Sequence, residues 1–166
     1  DSNSKYRFSA YVGSVFPGKN CGEKDCNILI PVVGEDGDAH IVAAKAASKD
    51  AAVMPLSATP RNFTRVMSTL LGRPYGWGNM YFYNDCSSEL KSFYTPFGIW
   101  LPRDSGPQLK AGIGRVVDLS SLSMKERINH LMEKGRKFTT MIYINGHVMA
   151  YMGKHSNLYD SSEDSM

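Results

Sequence analysis

Apolar residues recur at helical spacing in two segments in the middle of the chain. Thr59 and Pro60 are a typical side-chain cap and first helical residue, and Gly72 ends the first predicted helix. The second predicted helix begins at Asp85, so Cys86 falls in its first turn. The apolar positions that carry these predictions are Phe63, Val66, Met67, Leu70 and Leu71, then Leu90, Phe93, Tyr94 and Phe97.

A third helix is predicted from both its ends and its apolar face. Ser123 and Glu126 match the capping-box pattern that begins a helix, and Gly135 ends it. Between these ends, Met124, Ile128, Leu131 and Met132 recur at the spacing of one helix face.

Strand patterns lie on either side of these helices. Short apolar stretches, broken by turns such as residues 34–37, predict a small β-barrel or sandwich over residues 1–58. Asn-Gly at 145–146 separates two β-branched and aromatic runs, 138–144 and 147–152, and predicts a hairpin with positive φ at both turn residues. Helices followed by strands over 59–166 indicate an α+β domain with an antiparallel sheet.

Composition narrows the classes of function. The chain has 166 residues, 42% of them hydrophobic and 21% charged, which is typical of a packed globular protein. Its formal net charge is +3 without a dense basic cluster, so a nucleic-acid groove is not expected. The apolar runs are too short to predict a membrane span.

Cys21 and Cys26 admit more than one interpretation. Four residues separate them, so they could form a local disulfide in an oxidising compartment or remain two free thiols in a loop. A zinc site is the competing interpretation, but no second Cys/His pair at ligand spacing accompanies them, so neither a metal nor a cofactor is predicted.

Cys86 and His147 are the candidates for nucleophilic chemistry. The first turn of a helix stabilises a thiolate, and an imidazole can take the thiol proton and return it to a leaving amine. His147 opens a predicted strand, which is a rigid position from which to hold a ring. The charge of Asp85 opposes thiolate formation, which suggests another role, such as binding a substrate ammonium. By themselves, a single cysteine and a single histidine are more often structural than catalytic.

Four short motifs follow one another between residues 71 and 153. They are Leu71-Gly-Arg-Pro-Tyr-Gly-Trp-Gly78, Asp85-Cys-Ser-Ser88, Phe97-Gly-Ile-Trp-Leu-Pro-Arg-Asp-Ser105 with Gln108, and Gly146-His-Val-Met-Ala-Tyr-Met-Gly153. In order and spacing this set resembles the NlpC family of papain-like murein peptidases. The segment before residue 59 resembles the bacterial SH3-like domains that precede the catalytic domain in one branch of that family.

The resemblance implies a cysteine endopeptidase that hydrolyses the bond between γ-D-glutamate and the following diamino acid of peptidoglycan stem peptides. Cys86 then matches the nucleophile and His147 the general base. Asp85 and Tyr75 match positions near the binding site for the peptide's free amine or backbone. Arg103 and Ser105 match the segment that meets the D-glutamate carboxylate. An extracytoplasmic location, in the periplasm or cell wall, follows from that substrate, although no signal sequence is present in the chain.

Two departures from the family pattern matter. Asn79 stands where most members have a second glycine, and residues 81–84 lengthen the loop before Cys86. No third catalytic residue is recognisable, since His155 and Asn157 are predicted to lie in a loop. We therefore expect a chain that is incomplete at its C-terminus, with the third residue beyond Met166 and a second polypeptide completing the sheet. The alternatives are a non-catalytic wall-binding module and a papain-like acyl or amide transferase.

Overall fold

The computed structural model describes residues 8–154, and their contacts divide into two compact units. The first unit is Asp1–Pro74 with Lys91–Leu101, and the second is Tyr75–Leu90 with Pro102–Met166. Residues 155–166 lie outside the described part, and with them the predictions for His155, Asn157 and the end of the chain. The predicted domain boundary at residue 58 stays a prediction.

The first unit contains an antiparallel sheet of three strands, in the order β1 (Gly18–Cys21), β2 (Asp25–Val33) and β3 (Ala39–Ala47). The predicted turn at 34–37 joins β2 to β3, and Gly37 has a φ of 83° there. Cys21 faces Cys26 in the register of β1 and β2, and a disulfide joins the two side chains. The SH3-like interpretation stays a prediction.

Helix α1 (Pro60–Leu70) begins as predicted and packs in the core of the first unit. Thr59 Oγ1 accepts a hydrogen bond from the Asn62 N–H at 3.3 Å, which caps the helix. Phe63 packs its ring against Phe97, with 4.2 Å between ring centroids, and against Phe93 at 5.7 Å. Leu71, predicted on the apolar face, is instead exposed because α1 ends before it.

Helix α2 (Cys86–Tyr94) is the second predicted helix, and Cys86 is its first residue. A single 3₁₀ turn (Thr95–Phe97) continues it, and Gly98 ends the turn with a φ of 75°. The sequence pattern did not predict the next helix, α3 (Ser105–Leu109), because five residues are too few to show a periodicity.

Helix α4 (Met124–Lys134) has the predicted capping box. The Ser123 N–H donates to Glu126 Oε2 at 2.8 Å, and the Glu126 N–H donates to Ser123 Oγ at 3.4 Å. Gly135 ends α4 as predicted, and its N–H donates to the Leu131 carbonyl oxygen at 2.8 Å. A side chain at this position would collide with that oxygen, so the position requires glycine. The helix places its apolar residues on one face as predicted, but no residue of α4 is buried.

The hairpin in the structure is shorter than the one predicted from the sequence pattern. Strands β4 (Met141–Ile144) and β5 (His147–Ala150) pair antiparallel, with Ile144 opposite His147. Phe138 has a φ of 68°, which is incompatible with a strand, so β4 begins later than predicted. In the turn Gly146 has a φ of 79° and Asn145 has no positive φ, so the expectation of positive φ at both residues is wrong. One left-handed residue suffices for the turn, and glycine supplies it.

No helix in the described part of the chain is long and apolar enough to cross a lipid bilayer. Within residues 8–154, the sheet of β4 and β5 has only these two strands. The second polypeptide that we expect to complete this sheet stays a prediction.

The disulfide gives a direct test of this fold. When the denatured protein is treated with an alkylating reagent without reduction, we expect mass spectrometry to find one alkylated cysteine, Cys86. After reduction we expect three alkylated cysteines. The double variant Cys21→Ser/Cys26→Ala should lower the free energy of unfolding by about 2 kcal/mol, the loop-entropy value for so short a loop. Three alkylated cysteines without reduction would contradict the disulfide.

Candidate active site

The site is built on the N-terminal end of α2, where Asp85 caps the helix. Asp85 Oδ1 accepts a hydrogen bond from the Ser88 N–H at 3.0 Å, and Ser88 Oγ accepts one from the Asp85 N–H at 2.8 Å. This reciprocal pair is a capping box in which serine replaces the usual glutamate. It fixes the backbone on both sides of Cys86. The Asp-x-x-Ser pattern was visible in the sequence as a capping signal, although we interpreted Asp85 only as a ligand for substrate.

Arg103 makes a two-pronged ion pair with Asp85. Its two terminal nitrogens donate to the two Asp85 oxygens, Nη1 to Oδ1 at 3.0 Å and Nη2 to Oδ2 at 2.7 Å. Nη1 also donates to Ser87 Oγ at 3.0 Å. The Arg103 side chain remains 36% exposed and the Asp85 side chain 11% exposed. The guanidinium thus neutralises the carboxylate that would otherwise oppose a thiolate on Cys86.

The electrostatics of the cluster follow from these contacts. Burial disfavours the charged form of Asp85, but hydrogen bonds from Arg103, Ser88 and Ser87 outweigh it and hold its pKa well below the usual value of 3.8. The hydrogen bonds with Asp85 raise the pKa of Arg103. Arg103 also interacts electrostatically with Cys86, so its positive charge lies near the thiol.

Tyr75 contacts Cys86 from the preceding loop. The backbone and the thiol of Cys86 both act on the ionisation of the Tyr75 phenol, so the phenol lies beside the nucleophile. Partial burial raises the pKa of the Tyr75 phenol, and the charges of Cys86 and Asp85 raise it further. Tyr75 nevertheless remains 60% exposed, so a bound molecule can reach it.

The loop that carries Tyr75 turns sharply before α2. Gly78, Asn79 and Tyr81 all have left-handed backbone, with φ of 67°, 67° and 53°. Asparagine tolerates this conformation better than most residues with a side chain, which explains how Asn79 can stand in place of glycine. Trp77 and Tyr81 are each 80% exposed, so the lengthened loop presents aromatic faces to solvent.

The structure brings only some of the predicted site residues together. Cys86, Asp85, Tyr75 and Arg103 form one connected cluster. His147 is the half-buried first residue of β5, and within residues 8–154 no hydrogen bond joins it to the Cys86 thiol. Catalytic hydrogen bonds are often long before substrate binds, so this leaves the predicted dyad open. Ser105 begins α3 and is half-buried.

Ser87, Ser88 and Gln108 are site residues that our sequence reasoning gave no role. All three are buried, and their partners lie on the capped turn or on the segment that leads to Arg103. Serine and glutamine carry no charge and match no ligand spacing, so apart from the capping signal at Ser88 only their buried contacts reveal them. Within the described residues, no group of three or more His, Cys, Asp or Glu could hold a metal ion.

Comparisons with known proteins identify the family of this chain. The model of the NlpC/P60 family matches residues 72–166, more than half of the chain. The chain belongs to the NlpC/P60 family, which confirms the resemblance drawn from the four motifs. Members of this family are cysteine peptidases with a mixed α/β fold and antiparallel sheets.

A curated relative and two solved structures are similar to parts of the chain. A γ-D-glutamyl-L-lysine dipeptidyl-peptidase of Bacillus cereus is 39% identical over 67 residues, which cover 40% of this chain and 20% of the relative. The structure of an NlpC/P60 endopeptidase from Photobacterium damselae subsp. piscicida has a TM-score of 0.66 at 30% identity, covering 85% of this chain and 32% of that one. An NlpC/P60 family protein from Bacillus cereus has a TM-score of 0.44 at 22% identity, over 83% and 42% of the two chains. The chain therefore spans well under half the length of each of these proteins.

The Asp85–Arg103 pair predicts a particular pH dependence of stability. The pKa of Asp85 is lower in the folded than in the unfolded chain, so its contribution is complete above about pH 5 and is lost as the pH falls towards the folded pKa. Asp85→Asn keeps a capping side chain but removes the charge, and should cost about 2 kcal/mol at neutral pH.

The measurement is denaturant unfolding of the wild type and Asp85→Asn across this range. We expect the difference in free energy of unfolding to shrink progressively from about pH 5 to about pH 2. Asp104→Asn is the matched control, because Asp104 is exposed and lies 3.9 Å from Arg103. A difference that does not change with pH would show that the ion pair does not form.

Proposed function

We propose that this chain is a cysteine peptidase that hydrolyses the γ-D-glutamyl bond to the following diamino acid in bacterial cell-wall peptides. The observation that carries the proposal is the cluster of Cys86, Tyr75, Asp85 and Arg103 at the start of α2. Membership of the NlpC/P60 family and the activity for which the Bacillus cereus relative is named support it. Such a substrate lies outside the cytoplasm, so the proposal includes action in the periplasm or cell wall.

In the proposed mechanism Cys86 Sγ attacks the carbonyl carbon of the γ-glutamyl amide, and His147 takes the thiol proton. The oxyanion that forms is stabilised by the Cys86 N–H and the Tyr75 hydroxyl, which already meet at the nucleophile. His147 returns the proton to the leaving amine as the carbon–nitrogen bond breaks. Water, activated by His147, then hydrolyses the thioester and releases the acid product and the free thiol.

Charged groups at the site are complementary to the free carboxylate and the free amine of the proposed substrate. The Arg103 guanidinium is partly exposed beside Cys86, where it can meet the free α-carboxylate of D-glutamate. The Ser105 hydroxyl has no hydrogen-bond partner within residues 8–154 and can join it. Asp85 Oδ2 accepts only the hydrogen bond from Arg103 in the described part, so it keeps a lone pair for the substrate's free amine.

Peptide cleavage tests the proposal directly. Wild-type protein should cleave L-Ala-γ-D-Glu-diaminopimelate after the glutamate, and more slowly when the N-terminal amine is acetylated. Cys86→Ala should abolish cleavage, with Cys21→Ser/Cys26→Ala as the control for loss of other cysteines. Binding of both peptides without cleavage would favour the wall-binding module, and transfer to an added amine would favour the transferase.

Replacing Tyr75 tests its place in the mechanism. Tyr75→Phe removes the hydroxyl beside Cys86, and should lower kcat about 100-fold because one proposed oxyanion donor is lost. KM should change less than kcat. Tyr81→Phe is the matched control, since Tyr81 lies in the same loop and is 80% exposed. Equal losses for both variants would contradict a specific role for Tyr75.

A further inference from the structure

Gln108 is a buried amide that joins the two chain segments of the site. Its side chain lies on α3, and the residue is 4% exposed. Gln108 Nε2 donates to the Ser87 carbonyl oxygen at 2.8 Å and to the Pro102 carbonyl oxygen at 2.9 Å. Ser87 directly follows Cys86, and Pro102 directly precedes Arg103. One NH₂ group therefore ties the nucleophile's turn to the segment that carries the guanidinium.

The two acceptors determine which way the amide points. Both partners are carbonyl oxygens, so only the NH₂ end of the side chain can satisfy them. This arrangement has an energetic cost at the oxygen end of the amide, because Gln108 Oε1 is buried and has no hydrogen-bond partner within residues 8–154. A side chain retained only to fill this space could be apolar and would leave no such acceptor unsatisfied. The two hydrogen bonds of the NH₂ group therefore explain why this position holds glutamine rather than an apolar residue.

We propose that Gln108 is a positioning residue that holds Arg103 in place beside Cys86. The inference rests on the proposed function, in which Arg103 meets the substrate carboxylate. Without the Nε2 hydrogen bonds, the backbone of the 102–103 segment loses its tie to the start of α2. The hydrogen bonds of Arg103 with Asp85 and Ser87 then have to fix the guanidinium by themselves, although it is already partly exposed.

Alkylation of Cys86 tests the proposal without any substrate. Iodoacetate is an anion and iodoacetamide is neutral, so the ratio of their reaction rates reports the positive charge near the thiol. Arg103→Met should lower this ratio about fivefold, as expected from one nearby charge at a partly exposed site. Gln108→Met should lower it in the same direction while leaving the iodoacetamide rate within about twofold of wild type. In the double variant the two effects should not add, because both act through the same guanidinium.

Peptide kinetics give a second readout. Gln108→Met should raise KM severalfold for the peptide with the free glutamyl carboxylate, and should leave KM unchanged for the same peptide bearing an amide there. Leu109→Met is the matched control on the same helix. If Gln108→Met does not fold, judged by its thermal midpoint, Gln108→Asn replaces it, since the shorter amide cannot reach both carbonyls.

The two proposals fail in different ways. Wild-type protein that cleaves neither peptide would refute the proposed function, while the alkylation ratio would still decide the role of Gln108. An unchanged ratio in a folded Gln108 variant, or equal changes in both alkylation rates, would overturn the positioning role. Additive effects of the Gln108 and Arg103 substitutions would overturn it as well.

Discussion

The ion pair between Asp85 and Arg103 is the interaction on which the described site depends. It joins the capping residue of α2 to a segment 18 residues further along the chain, and it does so through two parallel hydrogen bonds. A carboxylate that is mostly buried would be unfavourable beside a nucleophilic thiol if it were unpaired. The guanidinium removes that penalty and brings its own charge near Cys86. The same pair of residues therefore caps α2, balances the buried charge and fixes the surroundings of the thiol.

The loop before α2 shows how the chain departs from its family without losing this arrangement. Left-handed backbone at Gly78, Asn79 and Tyr81 lets the chain turn while Tyr75 keeps its hydroxyl at Cys86. Asparagine accepts that conformation at a modest energetic cost, so replacing a glycine need not disturb the site. Tyr81 and Tyr83, which belong to the added residues, are exposed, so they alter the surface of this loop.

Much of the fold could be predicted from the sequence because its signals are local. Thr59 and Ser123 cap their helices with hydrogen bonds that span three residues, and Gly37 and Gly146 occupy turns that need positive φ. Such interactions are encoded within a few positions and do not depend on the rest of the chain. The order of the four motifs likewise identifies the family from the sequence alone. Predictions failed where the sequence pattern runs past the end of an element, as at Phe138, whose positive φ makes β4 begin later than predicted.

For the site, the sequence by itself determined the residue types, their order and the position of Cys86 at the start of a helix. It could not determine that Asp85 is held by Arg103, nor that Gln108 joins the Ser87 and Pro102 carbonyls, since these contacts span 18, 21 and 6 residues. A charged or amide side chain has several possible partners along a chain, and burial selects among them by making every unsatisfied group costly. Only the tertiary structure decides which groups are buried together, and therefore which partners form.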